Sequence, residues 1–152
     1  NEKVSNSLSI DDIKTQICFT KKFLFQRGQP IGKNYFKLIN NVLLSNLIDK
    51  ITPTRSTFNG NNSSAWRSDL INVNGFDQRM EYGGLDCELG YRLNNLGIKS
   101  MQIRNRTTVL HLYHTRPYKN SKAIEINRQI RQATKRDKIT ITNYGIANDA
   151  KS

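Results

Sequence analysis

The sequence predicts a mixed α/β fold in which helices flank a sheet. Several segments repeat apolar residues at helical spacing, and the clearest stripe consists of Leu85, Leu89, Leu93 and Leu96. Short segments between the helices alternate or run apolar as strands do; they span residues 98–103, 107–114 and 138–146. A length of 152 residues suits one domain with a buried core.

The N-terminal part is predicted to be helical. Residues 10–26 carry apolar positions at helical spacing, with Ser9 as a suitable N-cap and Gly28 as a suitable stop. Residues 34–49 form a second predicted helix after a loop. The apolar face of this second helix is wide, which indicates burial on more than one side.

Helices and strands are then expected to alternate. A short helical turn within residues 65–77 is predicted to close at Asn74-Gly75, and the leucine stripe predicts a helix that Gly97 ends. Two strands follow, then a basic amphipathic helix over residues 121–137 and a final strand. This order of elements is the basis for the α/β prediction.

The charge of the chain is strongly positive. Its formal net charge is +12, and from residue 101 onward eleven Lys or Arg face three acids, Glu125, Asp137 and Asp149. Such a balance favours anionic partners such as nucleic acid, phosphorylated ligands or an acidic membrane surface. A solvated surface that keeps the protein soluble explains the charge equally well.

Cysteine content and hydropathy indicate the compartment. Cys18 and Cys87 are far apart and follow no paired spacing, which predicts reduced, buried thiols and a reducing environment. No apolar run approaches the roughly 18 to 20 residues that cross a bilayer, and the N-terminus lacks a signal peptide's apolar core. The chain begins with Asn1 and is expected to be a fragment of a longer protein.

Asp86 is the first candidate for chemistry. It follows the pair Gly83-Gly84 at the start of the predicted leucine helix. Glycines allow close approach of the backbone to a ligand, and the positive end of the helix favours an ionised carboxylate, as a general base requires. Plain capping of the helix explains the same pattern. Glu88, two residues further on, is interpreted as a surface or supporting residue.

The two histidines and an asparagine-rich loop are further candidates. On a strand, His111 and His114 point to opposite faces, so at most one is expected to be a ligand or catalytic group, with His111 preferred. Amides, hydroxyls and an indole cluster upstream, a set that suits a sugar; the cluster comprises Asn59, Asn61, Asn62, Ser63, Ser64 and Trp66. Core or surface histidines and a turn-rich loop with a core tryptophan remain the alternatives.

Taken in order, these motifs resemble those of a known enzyme family. Residues 56–118 contain FNGNNSSAW, NGFD, GGLDCEL and VLHLYH. This ordered set is similar to the C-terminal, galactosyltransferase-type region of family 2 glycosyltransferases, especially bacterial enzymes of lipopolysaccharide or capsule synthesis. One departure is clear, because Leu85 stands where the family has an acid or amide that contacts the acceptor.

The resemblance implies roles for individual residues. Asp86 corresponds to the catalytic base of an inverting transfer, and His111 or His114 to a metal-ligating histidine. The implied acceptor-binding positions are Asn61, Asn62, Ser63, Trp66, Gly83 and Gly84. The family also implies a GT-A fold, a nucleotide-diphosphate sugar donor, Mn²⁺ or Mg²⁺, and a glycan or lipid-linked acceptor. The protein is accordingly expected in the cytoplasm, with peripheral contact at the inner face of the membrane.

The donor-binding half of the family's fold is absent from the sequence. No Asp-x-Asp follows a predicted strand, and Asp11-Asp12 begin a helix instead. Residues 1–152 are therefore predicted to be the acceptor-side and catalytic-base portion of a transferase, inactive by itself.

Two other functions stay open. The chain is alternatively a non-catalytic basic module that binds anionic glycan, membrane surface or nucleic acid, although no specific nucleic-acid motif is present. Steeply salt-dependent binding to DNA or RNA would favour that alternative. The apolar face of helix 34–49 also suggests self-association, and sedimentation as a monomer at high concentration would count against it.

Overall fold

The computed structural model describes residues 1–33, 35–39, 41–115 and 120–149, with all side chains in these ranges except those of residues 36, 148 and 149. The chain divides into two compact units. The first comprises Asn1–Arg55 with Gln102–Thr115, and the second comprises Ser56–Met101 with Arg116–Ser152.

The first unit contains short helices around a small apolar core. They are α1 (Glu2–Asn6), α2 (Ile10–Lys14), α3 (Lys21–Gln26) and α4 (Val42–Ile51), with 3₁₀ turns at Ile17–Phe19 and Tyr35–Lys37. The buried core consists of Val4, Cys18, Phe23 and Leu24, and Leu110 packs against it. The second, discontinuous segment of this unit therefore contributes to the same core as the N-terminal helices.

The predicted helix over residues 10–26 is interrupted. Ser9 caps α2 as predicted, since its hydroxyl accepts from the amide of Asp12 and the Asp12 side chain accepts from the amide of Ser9. The chain then leaves the helical conformation at Gln16, whose φ is +59°. Thr20 caps a new helix by accepting from the amide of Phe23. Threonine oxygens favour such capping positions over helix interiors, which explains why one long helix was the wrong prediction.

Helix α4 is shorter than predicted and turns its apolar face outward. Residues 34 and 40 of the predicted helix lie outside the described residues, and regular α-helix begins at Val42. Leu43 and Leu47 are 80% and 55% exposed, so the prediction of burial on more than one side is wrong. Asp49 is buried instead: it accepts bonds of 3.0 and 2.8 Å from the backbone and side-chain nitrogens of Asn105. Polar bonding to the segment beyond residue 101 thus decides which face of α4 turns inward.

The second unit is built on two packed helices. Its helices are α5 (Arg67–Asn72), α6 (Leu85–Asn95), α7 (Ser121–Arg136) and α8 (Ile146–Asp149), and α6 packs against α7. The leucine stripe is helical as predicted, and two of its four residues, Leu89 and Leu93, are buried together with Val73, whereas Leu96 is 40% exposed. The predicted turn at Asn74-Gly75 and the stop at Gly97 are confirmed, since all three residues adopt positive φ.

The predicted sheet is wrong. Within the ranges that the structure describes, no residue lies in a strand, and no described helix is long and apolar enough to cross a membrane. The mixed α/β architecture, and with it a GT-A sheet, is therefore corrected to a helical one. Among the described residues, the three segments predicted as strands have no partner strand. In one of them Leu110 packs against the core of the first unit, and residues 103–107 form a hydrogen-bonded turn. Apolar alternation signals half-burial, but it does not supply a neighbour to pair with.

Asp77 fixes the segment after α5 to the segment before α8. This aspartate is 2% exposed. Its carboxylate accepts bonds of 3.0 and 2.8 Å from Arg79 and one of 2.7 Å from the hydroxyl of Thr142. Burial acts to raise the pKa of Asp77, but these hydrogen bonds outweigh it and hold the pKa below its ordinary value of 3.8.

The Asp77 carboxylate predicts a specific pH dependence of stability. A lowered pKa in the folded state means that its contribution is present above pH 3.8 and is lost as the pH falls through the folded-state value. We expect Asp77→Asn to lower the free energy of unfolding by about 1–3 kcal/mol at pH 7, with a smaller difference near pH 3. Urea denaturation at both pH values measures it. A difference that does not change with pH would contradict the assignment.

Candidate functional site

Asp86 meets the asparagine-rich loop within the second unit. Helix α6 begins after Gly84, so Asp86 lies in its first turn. Oδ1 of Asp86 accepts a 2.8 Å bond from the amide of Cys87, and Oδ2 accepts a 2.9 Å bond from the amide of Gly60. The carboxylate therefore accepts from one amide in the first turn of its own helix, whose N-cap residue is Gly84, and it also holds a loop that is 26 residues away in the sequence. Bonding to the start of the helix and positioning of the loop occur together at this residue.

The asparagine-rich loop, residues 59–63, is closed by its own serine. Ser63 accepts a 2.6 Å bond from the amide of Asn59 and donates a 2.7 Å bond to the carbonyl of the same residue. The hydroxyl of Ser63 thus stabilises the loop. Asn61 and Asn62 are exposed beside Gly60.

Trp66 follows the asparagine-rich loop by three residues in the sequence. It precedes α5 and is 80% exposed. The alternative in which the only tryptophan belongs to the core is therefore wrong. An exposed indole offers an apolar ring face and one N–H donor, which suits stacking on the C–H face of a sugar.

The glycine pair in front of α6 accommodates an arginine from α7. Gly83 and Gly84 have φ values of +108° and +85°, a conformation that side-chained residues rarely adopt. A Cβ atom at Gly84 would lie 2.9 Å from Nε of Arg131, so only glycine leaves room for this guanidinium. Asn127 of the same helix donates bonds of 3.1 and 3.0 Å to the carbonyls of Tyr82 and Gly83. Helix α7 therefore fixes the loop that presents Asp86.

The thiol of Cys87 reports the electrostatics of this site. Burial raises the pKa of Cys87, the charge of Asp86 raises it further, and Arg131 opposes both effects. Both cysteines are free, as predicted; Cys18 is fully buried and Cys87 is half-buried. The thiol thus lies between an anion and a cation of the site.

Alkylation of Cys87 tests this arrangement without any activity assay. In a Cys18→Ser background, Asp86→Asn removes the neighbouring negative charge, so we expect faster reaction with iodoacetamide at pH 8 because more thiolate is present. Arg131→Met should slow the reaction for the opposite reason. The measurement is the rate of mass increase on intact protein. Equal rates in all three proteins would mean that Cys87 does not sense these charges.

Glu88 and Arg92 lie under the site rather than on the surface. They are 1% and 0% exposed, and they form an ion pair of 2.8 Å one helical turn apart. Arg92 also donates to the carbonyls of Val73 and Gly75, while Thr134 of α7 donates a 2.9 Å bond to Glu88. Of the two interpretations of Glu88, the surface residue is wrong, and the supporting residue agrees with its buried contacts. Its role is to fix α6 against α7 and the turn after α5.

The histidines lie in the other unit. His111 and His114 are exposed on the segment 102–115, and their ring centroids are 5.2 Å apart. The expectation that a strand separates them onto opposite faces is wrong, because this segment is not a strand. The imidazoles offer at most two ligands, and among the described residues no group of three or more His, Cys, Asp or Glu could hold a metal ion. The requirement for Mn²⁺ or Mg²⁺ stays a prediction.

Three residues of the site escaped the sequence analysis. Gly60 acts through its backbone amide, which no residue pattern reveals. Arg131 and Asn127 belong to the predicted basic helix over residues 121–137, whose pattern does not show that either residue contacts the loop in front of α6. One signal was available for Asn127: it lies between Ala123 and Ile130 at helical spacing, so a polar residue occupies the stripe that faces α6.

Comparison of the chain with family models, with curated proteins and with solved structures finds no match. The resemblance to family 2 glycosyltransferases therefore remains a prediction from the motifs. Its first three motifs fall in residues 56–101, which belong to one compact unit, whereas the histidine motif falls in the other unit. Residues 116–118, at the end of the region of resemblance, lie outside the described residues.

Proposed function

We propose that this chain is the acceptor-side and catalytic-base part of an inverting glycosyltransferase. Its substrates would be a nucleotide-diphosphate sugar and a glycan or lipid-linked acceptor of bacterial surface polysaccharide. The bond between Asp86 and the amide of Gly60 is the observation that carries the proposal. It joins the proposed base to the proposed acceptor-binding loop at a distance of one hydrogen bond.

The hydrogen bonds of Asp86 leave room for a substrate. An ionised carboxylate has about four acceptor positions, and the described contacts occupy one on each oxygen. A hydroxyl held beside Asn61 and Asn62 can therefore donate to Asp86 without displacing a protein group. Asp86 is half-buried, so its oxygens are partly shielded from water while remaining accessible.

The proposed chemistry is a single displacement. The acceptor hydroxyl gives its proton to the Asp86 carboxylate as its oxygen forms a bond to the anomeric carbon of the donor sugar. The bond between that carbon and the diphosphate oxygen breaks, and its electron pair leaves with the nucleoside diphosphate. A positioned base of this kind contributes roughly 10²- to 10⁴-fold to the rate. Mn²⁺ or Mg²⁺ would neutralise charge on the departing diphosphate.

Arg131 gives the site a fixed cation. Its Nε is buried, has no hydrogen-bond partner among the described residues and lies against Gly84. A guanidinium held beside the base can attract an anionic acceptor or offset negative charge that develops during transfer. The excess of basic residues suits the same class of substrate, a lipid-linked phosphate acceptor at the inner face of the membrane.

The experiment is a transfer assay on the protein that joins this chain to a donor-binding part. A panel of nucleotide sugars is incubated with lipid-linked and glycan acceptors, and product is detected by mass spectrometry. We expect product from the parent protein and its loss in Asp86→Asn. The 152-residue chain alone should give none.

A basic binding module is the second candidate, and local pairing of its charges weakens it. A module of this kind would bind phosphates through the four cations of the last turns of α7, which are Arg128, Arg131, Lys135 and Arg136. Arg128 pairs with Glu125 at 2.6 Å, and Arg136 pairs with Asp137 at 2.7 Å. Arg131 lies against Gly84, which leaves Lys135 as the least engaged of the four. Steeply salt-dependent nucleic-acid binding without any sugar transfer would favour this alternative.

A further inference from the structure

A depression of about 280 Å³ lies at the start of α7 in the second unit. It is lined by Arg79 and Glu81 from the segment before α6 and by the first two turns of α7, that is Asn120, Lys122, Ala123, Ile126 and Asn127. None of the residues assigned to acceptor binding or proton transfer contributes to it. Its volume is slightly below that of small-molecule sites, which run from roughly 300 to 1,000 Å³.

Asn127 supplies the depression with an unused hydrogen-bond acceptor. It is 1% exposed, and its Oδ1 has no partner among the described residues. The orientation of the amide is fixed, since its nitrogen donates to the carbonyls of Tyr82 and Gly83. The reverse orientation would place oxygen against two carbonyl oxygens. A buried acceptor left unpaired is unfavourable, so a ligand whose donor reached this oxygen from the depression would satisfy it.

The remaining walls offer both polar and apolar contacts. Lys122 and Glu81 are exposed, and neither side chain makes a hydrogen bond or ion pair within the described part of the chain. Ala123 and Ile126 provide apolar surface between them. Residues that carry an ammonium donor, a carboxylate acceptor, an amide acceptor and apolar surface therefore line the same small volume.

These groups do not suit a simple anion. Oδ1 of Asn120 already accepts from the amides of Lys122 and Ala123 at 3.0 and 3.5 Å, which occupies the N-terminal donors of α7 that would otherwise hold an anion. Nε and Nη2 of Arg79 already donate hydrogen bonds to Asp77. Glu81 repels negative charge, and the orphan oxygen of Asn127 requires a donor.

We propose that this depression binds one uncharged sugar ring. Vicinal hydroxyls donate to Asn127 and Glu81 and accept from Lys122, and the C–H face of the ring packs on Ala123 and Ile126. A pyranose combines donors, acceptors and an apolar face within one small molecule. This binding site does not depend on Asp86 acting as a base, so it stands whether the chain is part of a transferase or a binding module.

The test is a titration of the ¹⁵N-labelled 152-residue chain, followed by two-dimensional NMR. The probes are methyl galactoside, methyl glucoside and N-acetylglucosamine, with inorganic phosphate as a separate arm. We expect saturable shifts of the amides of Ala123, Ile126 and Asn127 with at least one sugar. Lys122→Met and Glu81→Gln should each weaken that binding by about fivefold, the effect of losing one hydrogen bond.

Glu81→Gln and Lys122→Met change binding groups without removing a contact that the fold needs. Asn127 also holds two backbone carbonyls, so its replacement risks unfolding; Glu81 and Lys122 are exposed and carry no such role. Lys135→Met is the matched control, because it removes the same charge from an exposed position near the end of α7, outside the depression. It should leave binding unchanged. Absence of saturable shifts with every sugar, equal binding by all variants, or shifts with phosphate alone would each overturn the proposal.

Discussion

Replacing Asp86 with asparagine is expected to slow sugar transfer by about 10²- to 10⁴-fold, the contribution of a positioned general base. Asparagine keeps the size of the side chain but cannot accept a proton from the acceptor hydroxyl. The loss should appear in kcat with little change in KM for the donor, since the donor does not contact this residue in the proposed reaction. Initial rates over a range of donor concentrations measure both.

A structural effect must be separated from the chemical one. The amide nitrogen of an asparagine at position 86 would face an N–H group, from either Gly60 or Cys87, so part of the loop contact is lost. Asp69→Asn is the matched control, because Asp69 lies in the first turn of α5 just as Asp86 lies in that of α6. It should transfer at the parent rate. Transfer by Asp86→Asn at that same rate would remove Asp86 as the base.

The sequence predicted the helices of the second unit well because these helices carry local signals. Helix α6 has an unbroken leucine stripe and the glycine stop at Gly97, and α7 has a capping residue in Asn120 and a basic last turn. Asn74-Gly75 adopts positive φ, which few other dipeptides tolerate. Each of these signals acts within a few residues and does not require knowledge of the partner element.

The first unit and the sheet failed for the opposite reason. The apolar residues of α4 are outward because Asp49 finds donors in Asn105, about 56 residues later, and no helical pattern encodes that contact. The segments predicted as strands alternate apolar and polar residues, but among the described residues none of them has a neighbouring strand to pair with. At the candidate site, Asp86 could be chosen from its place after two glycines, whereas the amide of Gly60 and the guanidinium of Arg131 come from distant segments. In each case the structure depends on contacts between residues that are far apart in the sequence, which local patterns do not encode.

Replacing Arg92 with methionine is expected to lower the free energy of unfolding by about 3–5 kcal/mol, because it leaves a buried carboxylate without its cation. Nε of Arg92 donates to both oxygens of Glu88 at 2.9 and 3.0 Å, and Nη2 donates to Glu88 and to the carbonyl of Gly75. After the substitution, only the hydroxyl of Thr134 would donate to Glu88 among the contacts described. Urea denaturation followed by circular dichroism measures the change.

A second substitution distinguishes the lost charge pairing from lost packing. If the unpaired charge of Glu88 causes the destabilisation, Arg92→Met combined with Glu88→Met should recover much of it, since an apolar pair of similar volume tolerates burial. The carbonyls of Val73 and Gly75 would still lose a donor, so recovery should be incomplete. Arg128→Met breaks an exposed pair on the same unit and should not change stability measurably. Arg92→Met with no greater effect than Arg128→Met would mean that the buried pair does not hold α6 against the turn after α5, and the fixed position of Asp86 would need another cause.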